Sequence, residues 1–93
     1  MRIWAKIFKD NHLIKDITIE DYSKETRTHK VFDALEKACL YFDLEKPIWL
    51  ESNVRDFKRN AKTRFTKDSF IEDVPFDYME FHVLKKINRF YNR

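Results

Sequence analysis

The stretch from Arg2 to Glu20, RIWAKIFKDNHLIKDITIE, decides how the rest of the chain is read. Residues 2–8 alternate, with Ile3, Ala5 and Ile7 on one side and Trp4, Lys6 and Phe8 on the other. A period of two marks a strand with one buried face. Asp10-Asn11-His12 supplies the turn, because Asp and Asn tolerate left-handed backbone better than most residues that carry a Cβ. Residues 13–20, rich in Ile and Thr, return as the second strand of a β-hairpin.

Beyond the hairpin the period changes. Over residues 28–43, Val31, Phe32, Leu35, Ala38, Cys39 and Phe42 recur at helical spacing, opposite Asp33, Glu36 and Lys37. Thr26 or Thr28 can cap this main helix, and no helix breaker occurs before Pro47. Residues 47–50, Pro-Ile-Trp-Leu, read as a short strand with proline at its tolerant first position. Asn53 followed by Asp56 resembles a helix start, and Val54, Phe57 and Ala61 predict a second helix from Asn53 to Lys62. Residues 63–67 either continue that helix or turn into a strand. Residues 68–75 read as a loop punctuated by Asp68, Asp73 and Pro75.

Alternation resumes over residues 77–86, with Met79, Phe81 and Val83 facing one way and Tyr78, Glu80, His82 and Leu84 the other. A basic tail, residues 85–93, ends the chain as either a docked helical turn or a frayed end. The expected architecture is one α+β domain over residues 1–93, in the order β-β-α-β-(α)-β. An antiparallel or mixed sheet of about four strands packs on one main helix. Ile3, Ala5, Ile7, Ile48, Leu50, Met79, Phe81 and Val83 are expected beneath that helix.

The opening Met1-Arg2-Ile3-Trp4-Ala5-Lys6, the segment Lys46-Pro47-Ile48-Trp49-Leu50 and the stretch from Phe57 through Phe65 resemble a family of small uncharacterised proteins of anaerobic Gram-positive bacteria. The resemblance covers nearly the whole chain. It implies no activity, because that family has no assigned function and no defined catalytic motif.

Composition removes whole classes of chemistry. The 93 residues contain no glycine, where average usage of roughly 7 % would supply about six or seven. The Walker phosphate loop, the GxGxxG turn and the kinase glycine-rich loop are therefore excluded, since each needs backbone to approach phosphate without a Cβ. Asn11, Asn53, Asn60, Asp68 and Asp73 stand where glycine would often be used. One cysteine forms no internal disulfide, and with three histidines it supplies no Cys-rich zinc site. No apolar run approaches the ~18 residues of a membrane span, so the expected compartment is the cytoplasm, with Cys39 reduced.

Charge is arranged in blocks. Residues 1–15 carry a net +3, 16–51 −4, 52–70 +4, 71–84 −4 and 85–93 +4, for an overall +3. The basic segment offers a candidate polyanion site in Arg55, Lys58, Arg59, Lys62, Arg64 and Lys67. On a helix the first four lie within about one quadrant at ~100° per residue, a geometry that could follow a phosphate backbone. An ordinary solvated helix face is the plainer reading of the same stripe.

The outward positions of the sheet offer a candidate interface in Trp4, Phe8, Trp49, Tyr78 and His82. Such a face can dock a protein, including a second copy of this chain, or stack bases. The more economical expectation is that the second helix, with Phe57, Phe65 and Phe70, covers it. An RNP-type motif is absent, since its consensus needs glycine.

Catalytic signals are thin. Cys39 sits on the apolar stripe, and His29 lies about 15 Å away along the same helix. His29 with Asp33, or Glu25 with His29, has the i,i+4 spacing that can share a metal, but neither pair has a third ligand, and His12 reads as a turn residue. No catalytic residue, metal or cofactor is assigned. The reading that follows is a small cytosolic binding protein with a protein partner or a copy of itself. Nucleic-acid binding through residues 55–67 is the alternative, and an enzyme of an unrecognised class is the third reading.

Overall fold

The hairpin turn is closed by Asp10 and Asn11, with φ of 51° and 65°. Two consecutive left-handed residues make a type I′ turn, whose twist matches that of the strands it joins. It connects β1 (Arg2–Lys9) to β2 (His12–Glu20). The pairing runs from Arg2 opposite Glu20 to Lys9 opposite His12, and Ile14 is bulged out between Ile7 and Phe8. The structure is a computed structural model and describes residues 1–84. The basic tail expected over residues 85–93 lies outside the described residues.

α1 (Arg27–Phe42) begins where Thr26 Oγ1 accepts the His29 N–H at 3.2 Å. It ends at Asp43, in left-handed conformation at φ 58°, while Leu44 N–H closes on Cys39 O at 2.8 Å. Its buried stripe is Val31, Ala34, Leu35, Ala38, Cys39 and Phe42. Phe32, expected in the stripe, lies on its exposed flank. α2 (Glu51–Asn60), β3 (Lys62–Thr66) and β4 (Tyr78–Leu84) complete the order β-β-α-α-β-β. The sheet is antiparallel throughout, in the order β2-β1-β4-β3. No helix among the described residues is long and apolar enough to cross a membrane.

Both helices lie on one face of this sheet. Ile3, Ala5 and Ile7 of β1, Phe65 of β3, and Met79, Phe81 and Val83 of β4 form the buried floor under them. Phe57 of α2 stacks on Phe81 at 6.0 Å, and Trp49 meets Phe65 edge-on at 5.0 Å. The expectation that Phe57, Phe65 and Phe70 would cover the outer face is therefore corrected. Phe57 and Phe65 belong to the inner core, and Phe70 packs against Phe76 in the same core.

The third strand is also displaced from its expected place. Residues 47–50 are an irregular connector, with Ile48 N–H bonded to Ser69 O at 2.7 Å and both Ile48 and Leu50 exposed. Apolar β-formers raise strand propensity there, but Pro47 has no N–H for a ladder, and the segment instead wedges Trp49 between helices and sheet. The strand forms at residues 62–66 because α2 stops at Asn60. Ala61 turns left-handed at φ 55°, after which Thr63 and Phe65 alternate inward. Of the five residues expected in glycine-like positions, Asn11 alone has positive φ; the others with it among the described residues are Asp10, Asp43 and Ala61.

Asn53 fixes α2 in place. It lies at the third position of the helix rather than at its cap, and it is 4 % exposed. Its Oδ1 accepts the Leu50 N–H at 3.0 Å and the Ser69 hydroxyl at 3.4 Å. Its Nδ2 donates to Thr63 Oγ1 and to Arg64 O, both at 2.9 Å. One buried amide thus satisfies a helix start, a strand and the 3-10 turn over Lys67–Ser69. Asn53→Ala should lower stability by about 2–4 kcal/mol in urea unfolding, because four partners lose a buried bond together. Ala61→Gly should raise it by about 0.5–1 kcal/mol in the same assay, because glycine removes the left-handed strain of alanine.

Candidate functional site

The side chains of the sheet that point away from the helices form a grid. Strand register places Asp16, Lys6, Glu80 and Arg64 in one row across β2, β1, β4 and β3. On one side of it runs the row Thr18, Trp4, His82 and Lys62; on the other, Leu13, Phe8, Tyr78 and Thr66. The central row alternates in sign, acid-base-acid-base. Among the described residues, no helix or strand lies over this face.

The grid is tied together laterally. Lys6 Nζ meets Glu80 Oε1 at 2.8 Å, and Arg64 Nε meets Glu80 Oε2 at 3.3 Å. The Lys6 ammonium also sits 3.9 Å from the centre of the Trp4 ring, whose Nε1 donates to Asp16 Oδ2 at 2.8 Å. Phe8 stacks on Tyr78 at 5.1 Å, and the Arg64 guanidinium lies 4.7 Å from the Tyr78 ring. Each of these bonds runs along the sheet rather than out of it. As a result the Glu80 side chain is only 8 % exposed and that of Lys6 13 %, with no second layer above them.

This environment shifts two titrating groups. Burial pushes the Glu80 carboxyl up, but the hydrogen bonds and charges of Lys6 and Arg64, with Lys62 nearby, outweigh it and hold the group below its ordinary value. Burial lowers His82, Lys62 and Lys6 lower it further, and Glu80 opposes them. His82 is thereby biased toward the neutral imidazole.

The structure brings together Trp4, Phe8, Tyr78 and His82 of the expected interface, but not Trp49. The Trp49 ring is on the opposite layer, edge-on to Phe32, Phe57 and Phe65, and its buried indole N–H has no acceptor among the described residues. The proposed basic stripe divides in the same way. Lys62 and Arg64 belong to the open face, Lys67 to the turn after β3, and Arg55, Lys58 and Arg59 to the solvent side of α2. Lys6, Glu80 and Asp16 are the members the sequence reading did not select. Their outward positions were visible for Lys6 and Glu80, but pairing across strands was not.

Other titratable groups stand apart from this face. Burial pushes the Cys39 thiol up to about 11, so it carries little thiolate at neutral pH. His29 pairs with Glu25 at 2.8 Å on the exposed side of α1. Among the described residues, no three His, Cys, Asp or Glu side chains gather as a metal site. Compared with protein-family models, curated proteins and solved structures, the chain matches none of them.

Acid unfolding should show two limbs. His82, with its folded value below 6.5, stabilises the fold fully above that pH, and the contribution is lost as pH falls through the lowered value. Glu80, with its folded value below 4.5, contributes above that pH and loses its contribution as pH falls further. In urea midpoints measured from pH 8 to pH 3, His82→Gln should flatten the upper limb. Glu80→Gln should flatten the lower one and cost about 1–3 kcal/mol at neutral pH, since Lys6 loses its partner.

Proposed function

We propose that this chain is a non-enzymatic binding module of the cytoplasm whose open sheet face docks a partner protein. The observation that carries this reading is the gathering of Trp4, Tyr78 and Arg64 on one uncovered face. These are the three residue types most enriched among interface positions that dominate affinity. They are already held in place by Asp16, Phe8 and Glu80, so little side-chain freedom remains to be lost on docking.

The same geometry weighs against nucleic acid on this face. The Trp4 ring carries Lys6, and the Tyr78 ring lies against both Phe8 and Arg64, so a base would have to displace groups of the protein itself. Asp16, Glu20 and Glu80 would face the phosphates. The division of the basic residues between two layers likewise leaves no single track for a backbone. The resemblance to a bacterial family noted above assigns no activity and adds no residue to this reading.

Affinity capture from lysate with the wild-type chain and its variants tests the proposal. A protein retained by the wild type should be lost with Trp4→Ala/Tyr78→Ala and kept with Arg55→Glu/Arg59→Glu. A second copy acting as the partner would appear as a dimer in light scattering that the first pair of substitutions dissociates. Retention of every captured protein by the Trp4/Tyr78 variant would overturn the proposal. So would a salt-sensitive gel shift with RNA or DNA that the same variant abolishes.

A further inference from the structure

On the opposite layer, a groove of about 520 Å³ runs between α1 and α2. That volume lies within the range of about 300–1,000 Å³ common to small-molecule sites. Val31, Phe32, Trp49, Val54 and Phe57 make its walls. Phe32 is 52 % exposed and Val54 38 %, so two large apolar side chains of the facing helices stand open to water across it. Its charged lining is of one sign: Arg27 and Lys58 border it, and no carboxylate does. Neither cation has an ion-pair partner among the described residues.

A second feature adds to that positive rim. Arg27 and Thr28 open α1, whose first turn contains no acidic residue. The positive end of the helix dipole is bordered by Arg27 and Lys30, while the Glu25 carboxylate beside it is held on His29 at 2.8 Å and does not line this groove. The only side-chain cap there serves the His29 N–H, and the N–H groups of Arg27 and Thr28 have no acceptor among the described residues.

We propose that this groove binds a small amphipathic anion, with its apolar body against Phe32, Val54 and Phe57 and its charged head near Arg27 and Lys58. Apolar walls without the cations would suit a neutral hydrocarbon. Cations without the walls would suit any phosphate. The combination selects a molecule with both parts, such as a medium-chain carboxylate. The site is separate from the open sheet face and does not depend on it.

Trp4→Phe leaves Trp49, in the groove wall, as the sole tryptophan and a local reporter. Titrated below micelle formation, decanoate should give a saturable change in Trp49 emission at about tenfold lower concentration than decanol. Arg27→Ala/Lys58→Ala, which alters two exposed residues, should erase that preference, and Val54→Asp should abolish both responses. Equal affinity for decanol, no saturable response to decanoate, or a preference that survives the double substitution would overturn the proposal. The same change produced by inorganic phosphate alone would overturn its apolar half. A dimer that Val54→Asp dissociates would assign the groove to a second copy and overturn it as well.

Discussion

The buried amide of Asn53 sets which side of the sheet is covered. Thr63 points to the inner face of β3, and Asn53 must reach it from above that face to donate at 2.9 Å. The same side chain accepts from Leu50 N–H and Ser69 Oγ, so the start of α2, the inner surface of β3 and the following turn form one satisfied unit. Moving α2 to the other side would leave a buried amide and two hydroxyls without partners, a cost far above the net value of any one of those bonds. The helix therefore joins α1 on the inner face, and the outer face stays uncovered.

An uncovered sheet face must solve its own solvation. Here the solution is lateral: an alternating row of Asp16, Lys6, Glu80 and Arg64 lies between two rows that carry the aromatic rings. Glu80 is nearly buried by its neighbours within a single layer, and its two basic partners keep it ionised. Such a face is polar enough to remain in water, and its side chains are held in place by one another. The opposite layer has a different character. Its groove between the helices is apolar, with cations alone at its rim, so the two sides of one small domain present two unlike surfaces.

Where the periodicity of a segment was long, sequence and structure agree. The hairpin, α1 with its Thr26 cap and β4 each contain enough alternation or helical recurrence for one period to win. The disagreements over where elements begin and end fall between residues 47 and 66, where signals are short. Pro47-Ile48-Trp49-Leu50 has strand composition and no room for a period to assert itself. Ala61 is the larger obstacle. Alanine favours helix, and nothing about the residue itself announces a left-handed stop; the conformation is imposed by the Phe57 carbonyl behind it and the Val83 N–H ahead. Asn53 was visible as a helix-start residue, but a capping asparagine and a buried hub look the same in one dimension.

The sequence by itself determined the α+β class, the inward and outward sides of β1 and β4, and the loss of every glycine-dependent phosphate cradle. These follow from local periodicity and composition, which need no knowledge of distant contacts. Tertiary structure alone decided that the third strand follows α2, that Trp49 leaves the company of Trp4, Phe8 and Tyr78, and that Lys6, Glu80 and Arg64 form one charged row. Each of those outcomes depends on which strand lies beside which and on which face a helix is held. Hydrogen bonds between residues 10 or more positions apart set that arrangement, and the local periodicity around either end does not reveal its partner.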